Sequence, residues 1–192
     1  QRQMCIRDRE RDRLLAEIDE ATKNALKEII SEVTHPKGHI LFRADKVETK
    51  VYFIKKGIVR AYTELADNEI TFWFGREGDT VVSMKSYVSN QRGYENIELL
   101  EECELYEVRK RALHELFCKD IHIANWGREF AEKELLKTEE RFIGRQFKTS
   151  LERYRDLMNH TPDLLQRVQL GYIASYLGIT QVSLSRIRAK FR

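Results

Sequence analysis

The sequence predicts an α+β protein with three parts: an N-terminal antiparallel β-roll of jelly-roll type, one long helix and a C-terminal helix-turn-helix. Short runs rich in β-branched and aromatic residues recur over 39–108, and a helical period continues for about 25 residues after Lys110. Near the C-terminus, two short helical patterns flank a glycine. We place the three parts at 10–118, 119–145 and 146–192. The 192 residues, 42% hydrophobic and 34% charged, suffice for one or two ordinary cores.

The front of the chain predicts a single helix. Apolar residues three or four apart place a stripe on one side of a helix that starts at about Glu10. The turn sequence His35-Pro36-Lys37-Gly38 ends it. Residues 1–9 follow neither a helical nor a strand period and are set aside. The stripe consists of Leu14, Ile18, Ala21, Ala25 and Ile29.

The region 39–108 predicts strands. Its β-rich runs read HILF, VYFIKKGIVRAYTE, EITFWF, TVVS, ENIELL and CELYEV, and turn sequences such as Lys56-Gly57 and Gln91-Arg92-Gly93 separate them. The regular spacing is typical of an antiparallel barrel or jelly roll. Alternation places Ile70, Phe72 and Phe74 on one face of their strand, with Thr71 and Trp73 on the other.

The long helix carries one apolar stripe between highly charged flanks. Its members recur every three or four residues: Ile121, Ala124, Gly127, Ala131, Leu135, Thr138 and Phe142. A helix of this length has to bury such a stripe, and pairing with a second copy of itself is the simplest solution. The alternative is packing on its own barrel alone.

Positive charge is concentrated at the C-terminal end. Residues 141–192 hold ten Lys/Arg against three Asp/Glu, a net charge of +7, and because the whole chain carries +3, residues 1–140 carry −4. A basic terminal block predicts a polyanionic partner, most often nucleic acid.

The last 23 residues, LGYIASYLGITQVSLSRIRAKFR, predict a helix-turn-helix. Two short helices that cross steeply need a small residue at their contact, a glycine at the turn and a shared apolar core. Ala174 is the small residue, Gly178 occupies the turn and Thr180 can cap the second helix. The shared core is predicted from Ile173, Leu177, Ile179, Leu184 and Ile187.

At 100° per residue, the second helix turns Leu184, Ile187 and Phe191 inward. Val182, Ser185, Arg186 and Ala189 then face outward, with Gln181 at the margin.

This outward face can enter a major groove. Arg186 can donate two hydrogen bonds to guanine, Gln181 can read adenine or contact phosphate, and Val182 can touch a thymine methyl group. Ser183, Arg188, Lys190 and Arg192 suit backbone oxygens, which add affinity without sequence information. The predicted DNA-binding residues are Thr180, Gln181, Val182, Ser183, Ser185, Arg186, Arg188 and Lys190.

Catalysis and metal binding are not predicted. Cys5, Cys103 and Cys118 are too widely separated for a clustered zinc site, and a turn separates His35 from His39. We therefore predict no catalytic residue, no metal site and no cofactor, and leave effector-binding residues unassigned. The alternative readings are a cupin-like metal enzyme or a ligand-binding module without DNA binding. The cupin-like enzyme would need a His-x-His with a downstream Glu and His, which the barrel region lacks.

The sequence contains no apolar run of about 18 residues and no signal-peptide core, so we expect a cytoplasmic protein.

The β-rich front half, the long helix and the ending RVQLGYIASYLGITQVSLSRIR together resemble the Crp/Fnr family of bacterial transcription regulators, in particular a branch common in Bacteroidetes. The resemblance covers about residues 15–192. It implies a cyclic-nucleotide-binding-like β-roll as sensor, a dimerising helix and a DNA-binding helix-turn-helix. Gln181, Val182 and Arg186 match its base-contact positions, although Val182 replaces the acidic residue common there. The implied partners are double-stranded DNA, a second copy of the chain, an unidentified small effector and RNA polymerase, without a membrane.

The cyclic-nucleotide binders of this family carry Gly-Glu-Leu, about ten residues, then Arg-Ser/Thr-Ala. The matching stretch here contains no Gly-Glu-Leu, and alignment through the Cys103 strand places Gly93 rather than Arg92 at the phosphate position. We therefore expect no binding of cyclic AMP. Many relatives also place a strand pair, the wing, behind the reading helix. None follows here, so any hairpin is expected before the motif, near Leu165–Val168.

Overall fold

The computed structural model describes residues 20–66 and 68–191, with side chains from Lys23 onward. It confirms the predicted α+β class, with an antiparallel β-roll, a long helix and C-terminal helices. The strands are β1 Ile30–His35, β2 Ile40–Phe42, β3 Lys50–Lys56, β4 Val59–Glu64, β5 Glu69–Gly75, β6 Thr80–Val81, β7 Asn96–Leu99 and β8 Cys103–Arg109. The helices are α1 Glu20–Ile29, α2 Met84–Ser89, α3 Lys110–Lys119, α4 Ile121–Phe147, α5 Ser150–His160, α6 Pro162–Arg167, α7 Leu170–Leu177 and α8 Gln181–Ala189.

The front helix is shorter than the sequence predicts. It ends at Ile29, and the next six residues form β1, which pairs antiparallel with β8 from Ile30 opposite Val108 to His35 opposite Cys103. The prediction of a helix that ends before His35 was therefore wrong for 30–34. β-branched residues in ISEVTH favour a strand, and the ladder with β8, distant in sequence, decides the conformation. Leu14 and Ile18 lie outside the described residues.

The roll consists of two four-stranded sheets. Their strand orders are β1-β8-β3-β6 and β2-β7-β4-β5, so β5 is an edge strand. The predicted alternation in β5 is only partly visible, because Thr71 on the supposed outer face is 0% exposed while Ile70 and Phe72 are half-buried. Both faces of this edge strand are therefore covered.

A small core joins the front helix to α3 and the start of α4. Leu26, Val108, Leu113 and Ile123 are buried together, and Ala25 and Ile29 of the predicted stripe pack against them. These contacts bury one face of the amphipathic α1.

The first half of α4 packs one of its faces against β3 and α3 of its own chain. The rings of Trp126 and Phe130 lie 6.4 and 6.3 Å from the ring of Phe53. A Cβ on Gly127 would lie 2.7 Å from Phe117, so this member of the predicted stripe faces α3. Among the described residues of the stripe, Ile121, Ala131, Leu135, Thr138 and Phe142 are exposed.

The chain divides into two compact units. One contains the residues up to Arg60 together with Gly75–Lys133, and the other contains Ala61–Phe74 together with Glu134–Arg192. The second unit thus combines most of the β4–β5 hairpin with the C-terminal helices. Within 20–66 and 68–191, none of the helices has the length and apolarity needed to cross a membrane.

Candidate nucleic-acid interface

The turn between α7 and α8 is built on Gly178. Its φ of +67° lies in the left-handed region that favours glycine. Gly178 N–H donates to Ser175 O at 3.0 Å and Ile179 N–H donates to Ala174 O at 3.0 Å, which is the Schellman ending of a helix. α7 ends at Leu177 and α8 begins at Gln181, so a turn of three residues joins them, as the glycine signal predicts.

Thr180 begins the second helix. Its Oγ1 accepts a hydrogen bond from the backbone N–H of Ser183 at 3.2 Å and donates to Ser183 Oγ at 3.0 Å. This bond satisfies one of the amides left open at a helix start. Both hydroxyl groups therefore have a structural role at the start of α8.

The two helices share a tight apolar core. Ile173, Ala174, Leu177 and Leu184 are each at most 2% exposed, and Ile179 and Ile187 are half-buried. The predicted core residues therefore lie together, with Ala174 at the crossing.

The opposite face of α8 is exposed and polar. Val182 is 62% exposed, and Gln181, Ser185, Arg186, Ala189 and Lys190 are also exposed. Ser183 and Arg188 are half-buried. Gln181 leans back on α7, because a Cβ on Gly171 would lie 2.6 Å from Gln181 Nε2. The arrangement can place Arg186 and its neighbours in a major groove, whose width of about 12 Å admits a helix with its side chains.

α5 supports the far end of α8. The rings of Tyr154 and Phe191 are 5.6 Å apart, and the guanidinium of Arg155 lies 5.8 Å from the centre of the Phe191 ring. Phe191 therefore faces inward, as its helical spacing predicts.

Sequence reasoning missed Arg153, which joins three chain segments. Its Nη2 donates to Leu177 O at 2.7 Å, and its Nη1 donates to Arg145 O at 3.1 Å and Lys148 O at 3.3 Å. A cation is favourable at these carbonyls because helix C-termini carry partial negative charge. The side chain links the end of α4 to the end of α7. Only its basic character was visible in the sequence.

Sequence reasoning also missed Ser175. Its Oγ donates to Glu69 O at 2.9 Å and accepts from Thr71 N–H at 2.9 Å, so one hydroxyl takes the place of a neighbouring strand at the edge of β5. Next to it, the rings of Tyr176 and Phe74 are 5.2 Å apart. Burial raises the pKa of Tyr176, and Arg141, Arg145 and Arg153 oppose that rise. The hairpin residues and α7 are thereby held together within one compact unit.

We expect Ser175→Ala to loosen this contact. Loss of the hydroxyl leaves the Thr71 amide without its acceptor, which costs about 0.5–1.5 kcal/mol and speeds its hydrogen exchange by about two- to tenfold. Exchange measured by NMR on the intact chain checks this. Ser185→Ala on the exposed face of α8 is the matched control, and equal exchange of Thr71 in both variants would contradict the role of Ser175.

The hairpin expected near Leu165–Val168 is absent. Residues Pro162–Arg167 form α6, with Pro162 in its first turn, and Val168 is 7% exposed. Proline fits the first helical turn because it lacks an N–H that would need a partner, and Leu164 adds a buried side chain.

The stretch that would hold a cyclic nucleotide lacks a suitable cation. Arg92 is exposed, whereas Gly93 is buried and its N–H donates to Lys46 O at 2.9 Å. The buried carboxylate of Glu95 accepts a hydrogen bond from Tyr94 N–H at 3.0 Å. A buried carboxylate next to the position of the phosphate disfavours a second anion. That cyclic AMP is not bound stays a prediction.

A metal site is equally unsupported in the part of the chain that the structure describes. No group of three or more His, Cys, Asp or Glu residues there is arranged to hold an ion. The rings of His35 and His39 stack 4.2 Å apart, in the turn where the sequence places them.

Residues 32–120 match the family model of the cyclic nucleotide-binding domain. No curated protein matches the chain.

Three solved structures show the same fold. FixK2 from Bradyrhizobium japonicum is 20% identical, with a TM-score of 0.69 over 84% of each chain. CLP from Xanthomonas campestris, a c-di-GMP responsive global regulator, is 19% identical, with a TM-score of 0.68 over 90% of this chain and 91% of that one. A protein described as a Crp/Fnr-family transcriptional regulator from Eubacterium rectale is 16% identical, with a TM-score of 0.71 over 93% and 85%.

Proposed function

Because residues 32–120 match the model of the cyclic nucleotide-binding domain and the chain has the fold of Crp/Fnr-family regulators, we propose that the protein is a homodimeric, sequence-specific DNA-binding regulator of transcription. In this proposal residues 10–118 sense a signal, 119–145 dimerise and 146–192 read DNA. The β-roll does not respond to cyclic AMP.

The exposed face of α8 carries the proposal. Arg186 stands on that face, while the inward face is closed by Leu184 at 0% exposure. A polar outer face is common to surface helices, but this one lies in a C-terminal block of net charge +7, which favours a polyanionic partner. The combination supports insertion into a major groove, with Arg186 as the main reader of bases.

Dimerisation is supported by the second half of α4. Leu135 and Phe142 are 71% and 64% exposed, although both belong to the apolar stripe. Large apolar side chains exposed along one face of a helix are typical of an interface. A symmetric partner would cover both copies of the stripe and present two α8 helices to successive major grooves, about 34 Å apart.

The contacts of Ser175 and Arg153 support a route for a signal. The first connects the β4–β5 hairpin to α7, and the second connects the end of α4 to α7. A change in the hairpin or in α4 would therefore alter the position of the reading helix. We propose that an effector switches DNA binding by this route.

No observation favours the cupin-like enzyme, since the described residues supply no group of metal ligands. Two of the structural neighbours are described as regulators, CLP as a global regulator and the Eubacterium rectale protein as a Crp/Fnr-family transcriptional regulator. A ligand-binding module without DNA binding would not explain the concentration of positive charge in residues 141–192.

Electrophoretic mobility shift of promoter fragments by the full chain tests the proposal. We expect retarded complexes at submicromolar protein concentration and weaker binding to random DNA, since specific sites commonly bind at least about a thousandfold tighter. If no retarded complex formed at protein concentrations up to about 10 µM, far above the dissociation constants usual for specific sites, the module without DNA binding would be favoured.

Lys190→Ala is expected to weaken binding to all DNA sequences alike. Lys190 is exposed at the end of α8 and is placed for a phosphate rather than a base. The slope of log K against log salt should fall by about one, because one phosphate contact is lost. Fluorescence anisotropy at several salt concentrations measures the slope, and an unchanged slope would remove Lys190 from the interface.

A further inference from the structure

We propose that a cationic cleft on the β-roll, between the start of β3, the end of α2 and the start of α3, binds a small anion bearing one or two phosphate groups. The cleft has a volume of about 600 Å³, within the usual range for small-molecule sites. Its lining includes four cations and an imidazole, from Lys50, Arg109, Lys110, Arg111 and His114. None of its lining residues is an Asp or Glu.

The positive charge of this cationic cleft is only partly compensated. Lys50 pairs with Glu107 at 2.9 Å and Arg111 pairs with Glu115 at 2.8 Å. Lys110 is held by neutral groups, since its Nζ donates to Ser86 O at 2.9 Å and lies 5.7 Å from the centre of the Tyr87 ring. Two carboxylates, from Glu107 and Glu115, therefore compensate two of the four positive charges. The remaining charge of about +2 favours an anion with about two negative charges.

The start of α3 adds to this charge. The helix begins at Lys110, runs for ten residues and has no acidic residue in its first turn. The N–H of Lys110 donates to Thr49 O at 2.9 Å, and the backbone dipoles of the helix place partial positive charge at this end, beside the cations that line the cleft. Main chain and side chains therefore favour the same sign of ligand.

Phosphate is the anion that this donor set fits best. Arg109 and Arg111 offer planar guanidinium groups that can donate two hydrogen bonds each, and Lys110 adds a compact ammonium. The concave form and the volume favour a small molecule over a nucleic-acid backbone, which would need an extended basic surface. The ring of His114 stands edge-on against Tyr87, 5.3 Å between centres, and forms an aromatic wall.

The cleft is placed to influence α4. Lys110 already links α3 to α2, and only Asp120 separates α3 from α4. A ligand bridging β3, α2 and α3 would stabilise one position of α3 on the β-roll, and α4 follows α3 after a single residue. As an effector site the cleft rests on the proposed function, whereas binding of the anion can be measured without DNA.

Isothermal titration of the full chain with pyrophosphate at constant ionic strength tests the site. We expect saturable binding with one anion per chain, and a dissociation constant raised by about tenfold or more in Arg109→Gln/Lys110→Gln. Arg111→Gln is the second variant, because a side chain 91% exposed can be changed without harm to folding. It should raise the constant by about threefold or more.

Two controls separate the cleft from other basic surfaces. Lys133→Gln, exposed on α4, removes one positive charge elsewhere and should leave pyrophosphate binding unchanged. The double variant Arg186→Gln/Arg188→Gln should retain pyrophosphate binding and lose DNA binding. The double variant Arg109→Gln/Lys110→Gln should lose pyrophosphate binding and retain DNA binding.

The proposal is overturned if no saturable binding occurs up to about 10 mM pyrophosphate, because a dissociation constant above that value is too weak for a specific site. It is also overturned if the α8 variant loses pyrophosphate binding while the cleft variants keep it, or if every loss of a charge has the same effect. If the chain binds pyrophosphate but no DNA, the anion site is supported and the proposed function is wrong.

Discussion

Arg186→Ala is expected to relax base preference at one position of each half-site by about 1–3 kcal/mol, because a guanidinium that donates two hydrogen bonds to guanine discriminates by that amount. Arg186 is exposed on α8, whereas Leu184, two residues earlier, is 0% exposed and closes the core beneath it. The substitution should therefore remove the proposed base-reading side chain without disturbing the fold. Competition binding with cognate and single-base-changed duplexes measures the effect.

Lys190→Ala is the control for Arg186→Ala. It also removes one positive charge from α8, but it should weaken cognate and random duplexes equally. If Arg186→Ala lowered the affinity for both kinds of DNA to the same extent, Arg186 would be a phosphate contact and the assignment of α8 as the reading helix would be wrong.

Leu135→Glu is expected to dissociate the proposed dimer. In a symmetric interface both copies of Leu135 lose their burial, and at about 1.5–3 kcal/mol for each leucine the dimer would be weakened by about 3–6 kcal/mol. This corresponds to a rise of at least a hundredfold in the dissociation constant. Sedimentation equilibrium measures the constant, and affinity for a two-half-site duplex should fall with it.

Lys133→Gln is the matched control, since it changes the net charge by the same single unit and its side chain is exposed on another face of α4. It should leave the dimer intact. A dimer that tolerates glutamate at 135, or a wild-type chain that is monomeric at micromolar concentration, would show that the stripe is covered by something other than a second copy.

The helix-turn-helix was predictable because its determinants are local. A left-handed position that needs glycine, a hydroxyl that caps a helix start and apolar residues at fixed offsets all lie within 23 residues of one another. Gly178, Thr180 and Leu184 accordingly lie where the sequence places them. The inward turn of Phe191 follows from the same helical period.

The features that were missed depend on partners distant in sequence. β1 is a strand because β8 pairs with it across more than sixty residues, and no local pattern in 30–35 identifies that partner. Ser175 meets the β5 backbone 104 and 106 positions away, and Arg153 meets carbonyls on two other helices. The cationic cleft is assembled in the same way from three separate segments. The helix α6 is an exception, because Pro162 in its first turn and the buried Leu164 are local features of the sequence.

Selection of DNA from a random pool by the full chain tests the proposed function most directly. We predict an inverted repeat whose half-sites are about 10–10.5 base pairs apart, centre to centre, since two α8 helices related by a two-fold axis would meet successive major grooves. Recovery of DNA with no common sequence, or of a single unrepeated half-site, would contradict a symmetric pair of reading helices.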